Sequence, residues 1–254
     1  MQNFIMKITI HYFIGWVICS SITQSVQAQV NQQQYEIGIQ TGPFIYQGDL
    51  TPSALGSFKT LKNSIGINGS KILNASFLVR GNLFFSKLRG NEALYTHPEY
   101  RQERSFSFTT PVIELSTQLV WNPLARNYAD RGLSPYIFAG AGFSYLNIKP
   151  DWSNMNTEYF NSESPVAQGL LQDQQQQLPR LIPVLPIGVG VRYNLSARFA
   201  VTAESAYRLS FTDYLDGFSQ SVNPAKNDHY HSTTIGLIYR LGKKNTMACP
   251  IIKQ

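Results

Sequence analysis

The sequence predicts an all-β fold: an eight-stranded antiparallel up-and-down transmembrane β-barrel with long outer loops. Three observations carry this expectation. Apolar and polar residues alternate with a period of two along eight successive segments. Only 14% of residues are charged while 13% are aromatic, against about 25% charged in a soluble domain. The connections between segments alternate long and short, as outer loops and inner turns do in a membrane barrel.

The first residues set the compartment. Lys7, an apolar stretch from Ile8 to Ile22 and small residues Val26 and Ala28 have the layout of a secretory signal peptide spanning 1–28. As a retained anchor the apolar run is short of the ~20 residues that cross a bilayer. Cys19 follows Ile18 where lipoprotein processing needs a small residue, so a lipid anchor is not expected. Cleavage leaves Cys249 as the single cysteine, and stability has to come from something other than disulfides. The formal charge of +6 contains no basic run that suggests nucleic acid.

A polar leader, 29–34, precedes the barrel at 35–242, and a tail follows at 243–254. The first strand, from Tyr35 to about Ile45, places Tyr35, Ile37 and Ile39 opposite Glu36, Gly38 and Gln40. The second, about 64–73, ends in a tight turn at Asn74 and Ala75. The third, 76–88, sets Phe77, Val79, Leu83 and Phe85 against Ser76, Arg80, Asn82 and Ser86. The fourth, 105–121, carries Ile113, Leu115, Leu119 and Trp121 against Glu114, Ser116 and Gln118, with Pro111 implying a bulge or weakened ladder. The fifth, 134–148, has Gly140 and Gly142 where neighbours approach closely. The loop 149–179 contains QDQQQQ at 172–177 and reads as disordered. The sixth, 180–194, and seventh, 198–212, are separated by Leu195, Ser196 and Ala197 alone.

The eighth strand, YHSTTIGLIYRL at 230–241, closes the chain. Its Thr234, Gly236, Tyr239 and Leu241 resemble the terminal-strand signal read by the outer-membrane barrel assembly machinery. In hydrocarbon a sheet must close, because unpaired edge groups cost several kcal/mol each. The last strand must therefore pair with the first. A soluble barrel or sandwich would carry many Lys and Glu on its outer face, whereas these polar faces hold one or two charges each, as a lumen filled by side chains does. Tyr35, Trp121, Tyr136, Tyr145, Tyr193, Phe211 and Tyr239 fall near strand ends, where interfacial aromatic girdles lie. The expected location is the cell outer membrane, with its lipid as first partner.

YQGDL at 46–50, SFSFTTPVIELSTQLVWN at 105–122, SPYIFAGAGF at 134–143, PIGVGVRYNLSARF at 186–199 and FTDYLDG at 211–217 are similar, in order, to the PorG-like outer-membrane barrels. The resemblance spans nearly all of the mature chain, and YQGDL and FTDYLDG are its more specific parts. It implies a role in a type IX secretion apparatus, where the best-understood member of the family links the outer membrane to a periplasmic ring. The departures are KKNTMACPIIKQ after the last strand and the glutamine-rich third outer loop.

Arg80, Glu114, Arg192, Glu204, Arg208 and Arg240 are the charges of the polar faces. They predict a buried plug of ion pairs rather than an ion pathway, with Arg80 opposite Glu114 if the 89–104 loop is symmetric. Asp213, Tyr214 and Asp216 lie past the seventh strand and Asp49 on the same side, for loop ordering or partner contact. Asp228, His229, His231 and Ser232 invite a hydrolase reading, since some eight-stranded barrels modify lipids. Yet adjacent strand positions point apart, so Ser232 and a histidine base do not meet. The expectation is no catalytic residue, no metal and no cofactor; the alternatives are a lipid-modifying barrel enzyme, or an adhesin or narrow pore acting alone.

Overall fold

The computed structural model describes residues 34–242 except 54 and 226. The expected signal peptide, residues 29–33 of the leader, and the tail 243–254 with Cys249 lie outside the described residues. The strands are β1 (Tyr35–Gln47), β2 (Lys62–Ile72), β3 (Phe77–Asn91), β4 (Ser107–Trp121), β5 (Gly132–Leu146), β6 (Lys149–Asp151), β7 (Leu181–Asn194), β8 (Phe199–Ser210) and β9 (His229–Leu241). Eight of them form one closed antiparallel barrel, in the order β3-β2-β1-β9-β8-β7-β5-β4 with β3 pairing β4. The short β6 adds onto the outer end of β4. Closure is made by β1 and β9, in register from Tyr35↔Leu241 to Gln47↔His229.

The alternation in each strand sorts side chains to two environments. Ile39, Leu115 and Ile235 are each more than 60% exposed on the outer wall. Such surface costs about 25 cal/mol per Å² in water, which a hydrocarbon neighbour removes. The inward face instead holds Glu36, Arg80, Glu114, Arg192, Glu204, Arg208 and Arg240, all buried. A soluble barrel has the opposite arrangement. No helix among the described residues is long and apolar enough to cross a membrane.

Five of the seven expected girdle aromatics, Tyr35, Trp121, Tyr145, Tyr193 and Phe211, are 42–59% exposed on the outer wall. Tyr239 faces the same way beside Phe199, with ring centroids 5.2 Å apart. Tyr136 corrects the expectation: it points inward and is 6% exposed. The reason lies on the neighbouring strand. Tyr136 and Phe138 pair in register with Gly190 and Gly188, and a Cβ at either glycine would come within 2.4 Å of the facing ring. The glycines of PIGVG thus vacate the lumen for two rings of β5.

Two further expectations are corrected. Pro111 makes no bulge, since β3 and β4 stay in one register from Phe77↔Trp121 to Asn91↔Ser107. Its missing N–H falls where pairing with β5 has already ended, at Val112↔Leu146. The glutamine-rich patch is not disordered throughout, because Pro165–Gln175 is an α-helix. Ser164 caps it by accepting from the Ala167 N–H at 3.2 Å, and Pro165 occupies the first turn. A cap and a starting proline outweigh a composition that favours disorder.

Candidate functional site

The long loops 48–61, 92–106, 147–180 and 211–228 gather at one end of the barrel, and the turns 73–76, 122–131 and 195–198 at the other. By the rule for such barrels the turn end is periplasmic. The lumen between is filled in layers. At the inner mouth, Glu36 of β1 accepts from Arg192 Nη2 at 2.6 Å and from Arg240 Nε at 3.1 Å. Arg240 also donates to the Asn194 side chain and to the Ala129 carbonyl. That last bond ties the 122–131 turn across the mouth, where Asn127 donates to Asn74 O and Tyr128 packs on the apolar cluster of Leu78, Val120 and Phe138.

One layer outward, the Arg80 guanidinium donates to both oxygens of Glu204 and to Gln118 Oε1 at 2.7 Å. Tyr136 Oη donates to Glu204 at 2.6 Å, and the Phe138 ring lies 5.0 Å from the Arg80 guanidinium. Next, Arg208 Nε meets Glu114 Oε2 at 2.5 Å, with Ser232 Oγ and Tyr230 Oη completing the set. Phe44, Phe84 and Tyr230 surround the Arg208 guanidinium at 4.4–5.5 Å.

All six charges named from the sequence therefore sit in the lumen, but Arg80 and Glu114 are not partners. The register sets Arg80 opposite Gln118, four positions from Glu114, or roughly 13 Å along the strand. The connecting loop is not symmetric about the point that pairing them requires: its turns Glu92–Leu94 and Tyr100–Arg104 move the midpoint toward β4. Sequence reasoning missed Glu36 as the shared partner of two arginines. It lies on the polar face of β1, and that placement is the signal that could have found it.

The outer mouth is built differently. Tyr46 at the end of β1 lies 2.7 Å from Asp216 Oδ2 and 2.7 Å from Asp228 Oδ1. A phenol has one proton to donate, so two such contacts require a second proton, held by one carboxyl. Burial pushes the Asp216 carboxyl up to about 8, and the neighbouring charges of Asp213 and Asp49 act in the same direction. Burial and the charge of Asp216 push Asp228 up as well. The second oxygens accept backbone N–H groups, Asp216 from Phe218 and Asp228 from Leu215. Gly48 of YQGDL lies directly beneath. A Cβ there would stand 1.9 Å from Asp228 Oδ1 and 2.1 Å from Tyr46 Oη, so the motif glycine makes room for the latch.

Of the loop residues named from the sequence, Asp216 is at the centre of this latch and Asp213 is on its edge, where burial raises it to about 7. Tyr214 reaches Asp173 of the helix Pro165–Gln175 at 3.4 Å. The Asp49 carbonyl accepts from Arg101 Nη1, while its carboxylate acts on the others through its charge. Asp173 takes the backbone N–H groups of Ser219, Gln220 and Ser221 at 3.0–3.2 Å. Glu92 binds Arg101 and Arg104, and Phe106 stacks on Phe218 at 4.4 Å. The second, third and fourth outer loops thus lock together over the barrel. Asp173 and Glu92 carry no local pattern that marks them.

The residues of the hydrolase reading are separated. Ser232 points into the lumen, where it takes Arg208 Nη1, and His231 turns the other way to Leu55 O at 2.7 Å. The closing strand sends Thr234 and Gly236 inward, and Tyr239 and Leu241 to the outer wall.

A closed barrel with paired charges inside and an apolar wall outside defines an eight-stranded outer-membrane β-barrel protein. The chain belongs to the family described as a domain of unknown function (DUF6089), which matches residues 12–249. No curated protein matches it. Among solved structures it is similar to Neisserial surface protein A (NspA), at 13% identity and a TM-score of 0.45 over 82% of this chain and 97% of that one. It is also similar to Ail, the attachment invasion locus protein of Yersinia pestis crystallised with the heparin analogue sucrose octasulfate, at 14% identity and a TM-score of 0.44 over 83% and 99%. The outer membrane enzyme PagL matches at 11% identity and a TM-score of 0.38 over 81% and 99%. At this level of likeness, function has to be read from this chain's own residues.

Proposed function

We propose that this barrel acts without catalysing a reaction, as an outer-membrane anchor that organises a type IX protein secretion or related envelope complex. Its partners are periplasmic secretion-ring proteins, and the barrel assembly machinery reads its last strand to insert it. The observation that carries the reading is the filling of the lumen from the Glu36 layer to the Tyr46 latch, with the 122–131 turn tied across the inner mouth. A barrel packed in this way offers its rims and turns rather than a passage. The resemblance of YQGDL and FTDYLDG to PorG-like barrels supplies the particular complex, and both motifs contribute to one latch in this chain.

The test is affinity purification of the full chain from its native membrane after mild detergent extraction. Recovery of periplasmic ring proteins in constant ratio is the expected result, and recovery of the barrel as a lone monomer would sink the proposal. Lipid profiling of a deletion strain checks the enzymatic alternative, with no change in acylation expected.

A further inference from the structure

The outer wall changes character along one line. Phe85, Ile113, Tyr145 and Leu181 form a row across β3, β4, β5 and β7, in register and 42–62% exposed. This row is the last apolar one on that side. The next outward-facing row up β3 and β4 is Lys87↔Pro111, and the one above it runs Arg89↔Thr109↔Lys149 across β3, β4 and β6. Each row is about 7 Å further along the strands. Lys87, Arg89 and Lys149 are exposed, and among the described residues none of the three side chains forms a hydrogen bond or ion pair. Asp151, the carboxylate in the row above, accepts the Ser153 N–H at 3.0 Å.

Three unpaired cations and a hydroxyl on neighbouring strands, directly above the apolar belt, stand where the headgroup layer meets the protein. A lysine also closes the belt at the other interface, where Lys71 sits 6.0 Å from the Tyr35 ring. Beside Lys149 on the same rim is a recess of about 590 Å³, lined by Leu146, Asn147, Gln177, Pro179 and Arg180. It adds apolar and amide surface and a fourth cation. Guanidinium and ammonium groups grouped in this way suit phosphate oxygens. A protein or polysaccharide acid in free solution would meet the loops above, whereas this patch faces the membrane side of the wall.

We propose that Lys87, Arg89 and Lys149, with Thr109 between them, bind the phosphate groups of a phosphorylated glycolipid headgroup in the outer leaflet. The barrel therefore carries an annular lipid of defined chemistry on one side of its wall, around β3, β4 and β6.

The experiment uses the full chain in mixed micelles with diphosphorylated lipid A or the same lipid stripped of its phosphates. Affinity is expected to fall on the order of a hundredfold on losing the phosphates. The triple variant Lys87→Gln/Arg89→Gln/Lys149→Gln is expected to lose a similar factor, and each single variant roughly fivefold, with the heat-dependent gel shift of the folded barrel unchanged. Equal affinity of the native chain for the two lipids overturns the proposal, and this comparison needs no variant. So does a folded triple variant that binds as the native chain does. Inorganic phosphate and heparin serve as competitors: if either binds more tightly than the lipid, the site is for a soluble anion and the lipid assignment fails.

Discussion

The two ends of the lumen meet the same difficulty, buried carboxylates, in opposite ways. In the inner half Glu36, Glu204 and Glu114 each face a guanidinium carried by a strand. At the outer mouth Asp216 and Asp228 face one another across the Tyr46 phenol. Strands hold their side chains in fixed register, so opposite charges can be set against each other at chosen levels. Loops converge from several directions and bring like charges together, where a shared proton replaces the missing cation. The outer mouth should therefore respond to pH through the neutral range.

Breaking the inner arrangement has the largest expected effect. Arg80→Ala leaves Glu204 buried with Tyr136 as its remaining donor, and stranding one member of a buried pair costs about 3–5 kcal/mol. The urea midpoint of the gel-shifted, folded form should fall accordingly. Conductance in planar bilayers should stay near that of the native chain, because the other layers still fill the lumen; a sharp rise would count against the plug. Tyr46→Phe comes next. It removes the hydroxyl from between two carboxyl groups, at about 1–3 kcal/mol, and proteolysis should then cut 211–228 before any other outer loop. Cutting that starts elsewhere would argue that the latch is not what closes the mouth. Ser164→Ala removes one helix cap, at about 1 kcal/mol, and should loosen the grip of Asp173 on residues 219–221 without altering the barrel, as amide exchange would read.

The barrel was legible in the sequence because membrane strands write their two environments into alternate residues. Ile235, Leu237 and Leu241 could be assigned to one face of β9 with no other strand in view, and closure against Tyr35 followed from the cost of an open edge. Partner choice inside the lumen was not legible to the same degree. Faces follow from parity within a strand, but the Arg80 pairing depends on register, which the two turns of the 92–106 loop set. The inward Tyr136 needed the facing glycines of β7, which sit more than fifty residues away. The latch is half visible: YQGDL and FTDYLDG mark its two sides, but in the sequence Asp228 stands out only as a neighbour of His229 and Ser232. Asp173 takes its role from the helix Pro165–Gln175, which the run of glutamines does not suggest.

The smallest expected change is local opening at the outer mouth, and its sign follows from the raised carboxyls. In the unfolded chain all these aspartates lose their protons near the ordinary carboxylate value of about 4. In the folded mouth Asp216 keeps its proton up to about 8 and Asp213 up to about 7. Through that window the folded form binds more protons than the open one, so its stability is greatest at the acid end and declines as pH rises toward 8. Arg104, whose guanidinium is close enough to feel Asp216, limits the repulsion once the proton leaves but cannot replace the second hydrogen bond to Tyr46. Amide exchange in 211–228 should therefore speed up between pH 6 and pH 9 by more than the intrinsic chemical rate, while the strand amides around Arg80 keep their protection. Asp216→Asn places a neutral donor permanently beside Tyr46 and should flatten most of this dependence, leaving the part due to Asp213. If the variant and the native chain show the same slope, the shared proton is not what holds the loops, and the mouth is closed by the Asp173 and Phe106–Phe218 contacts alone.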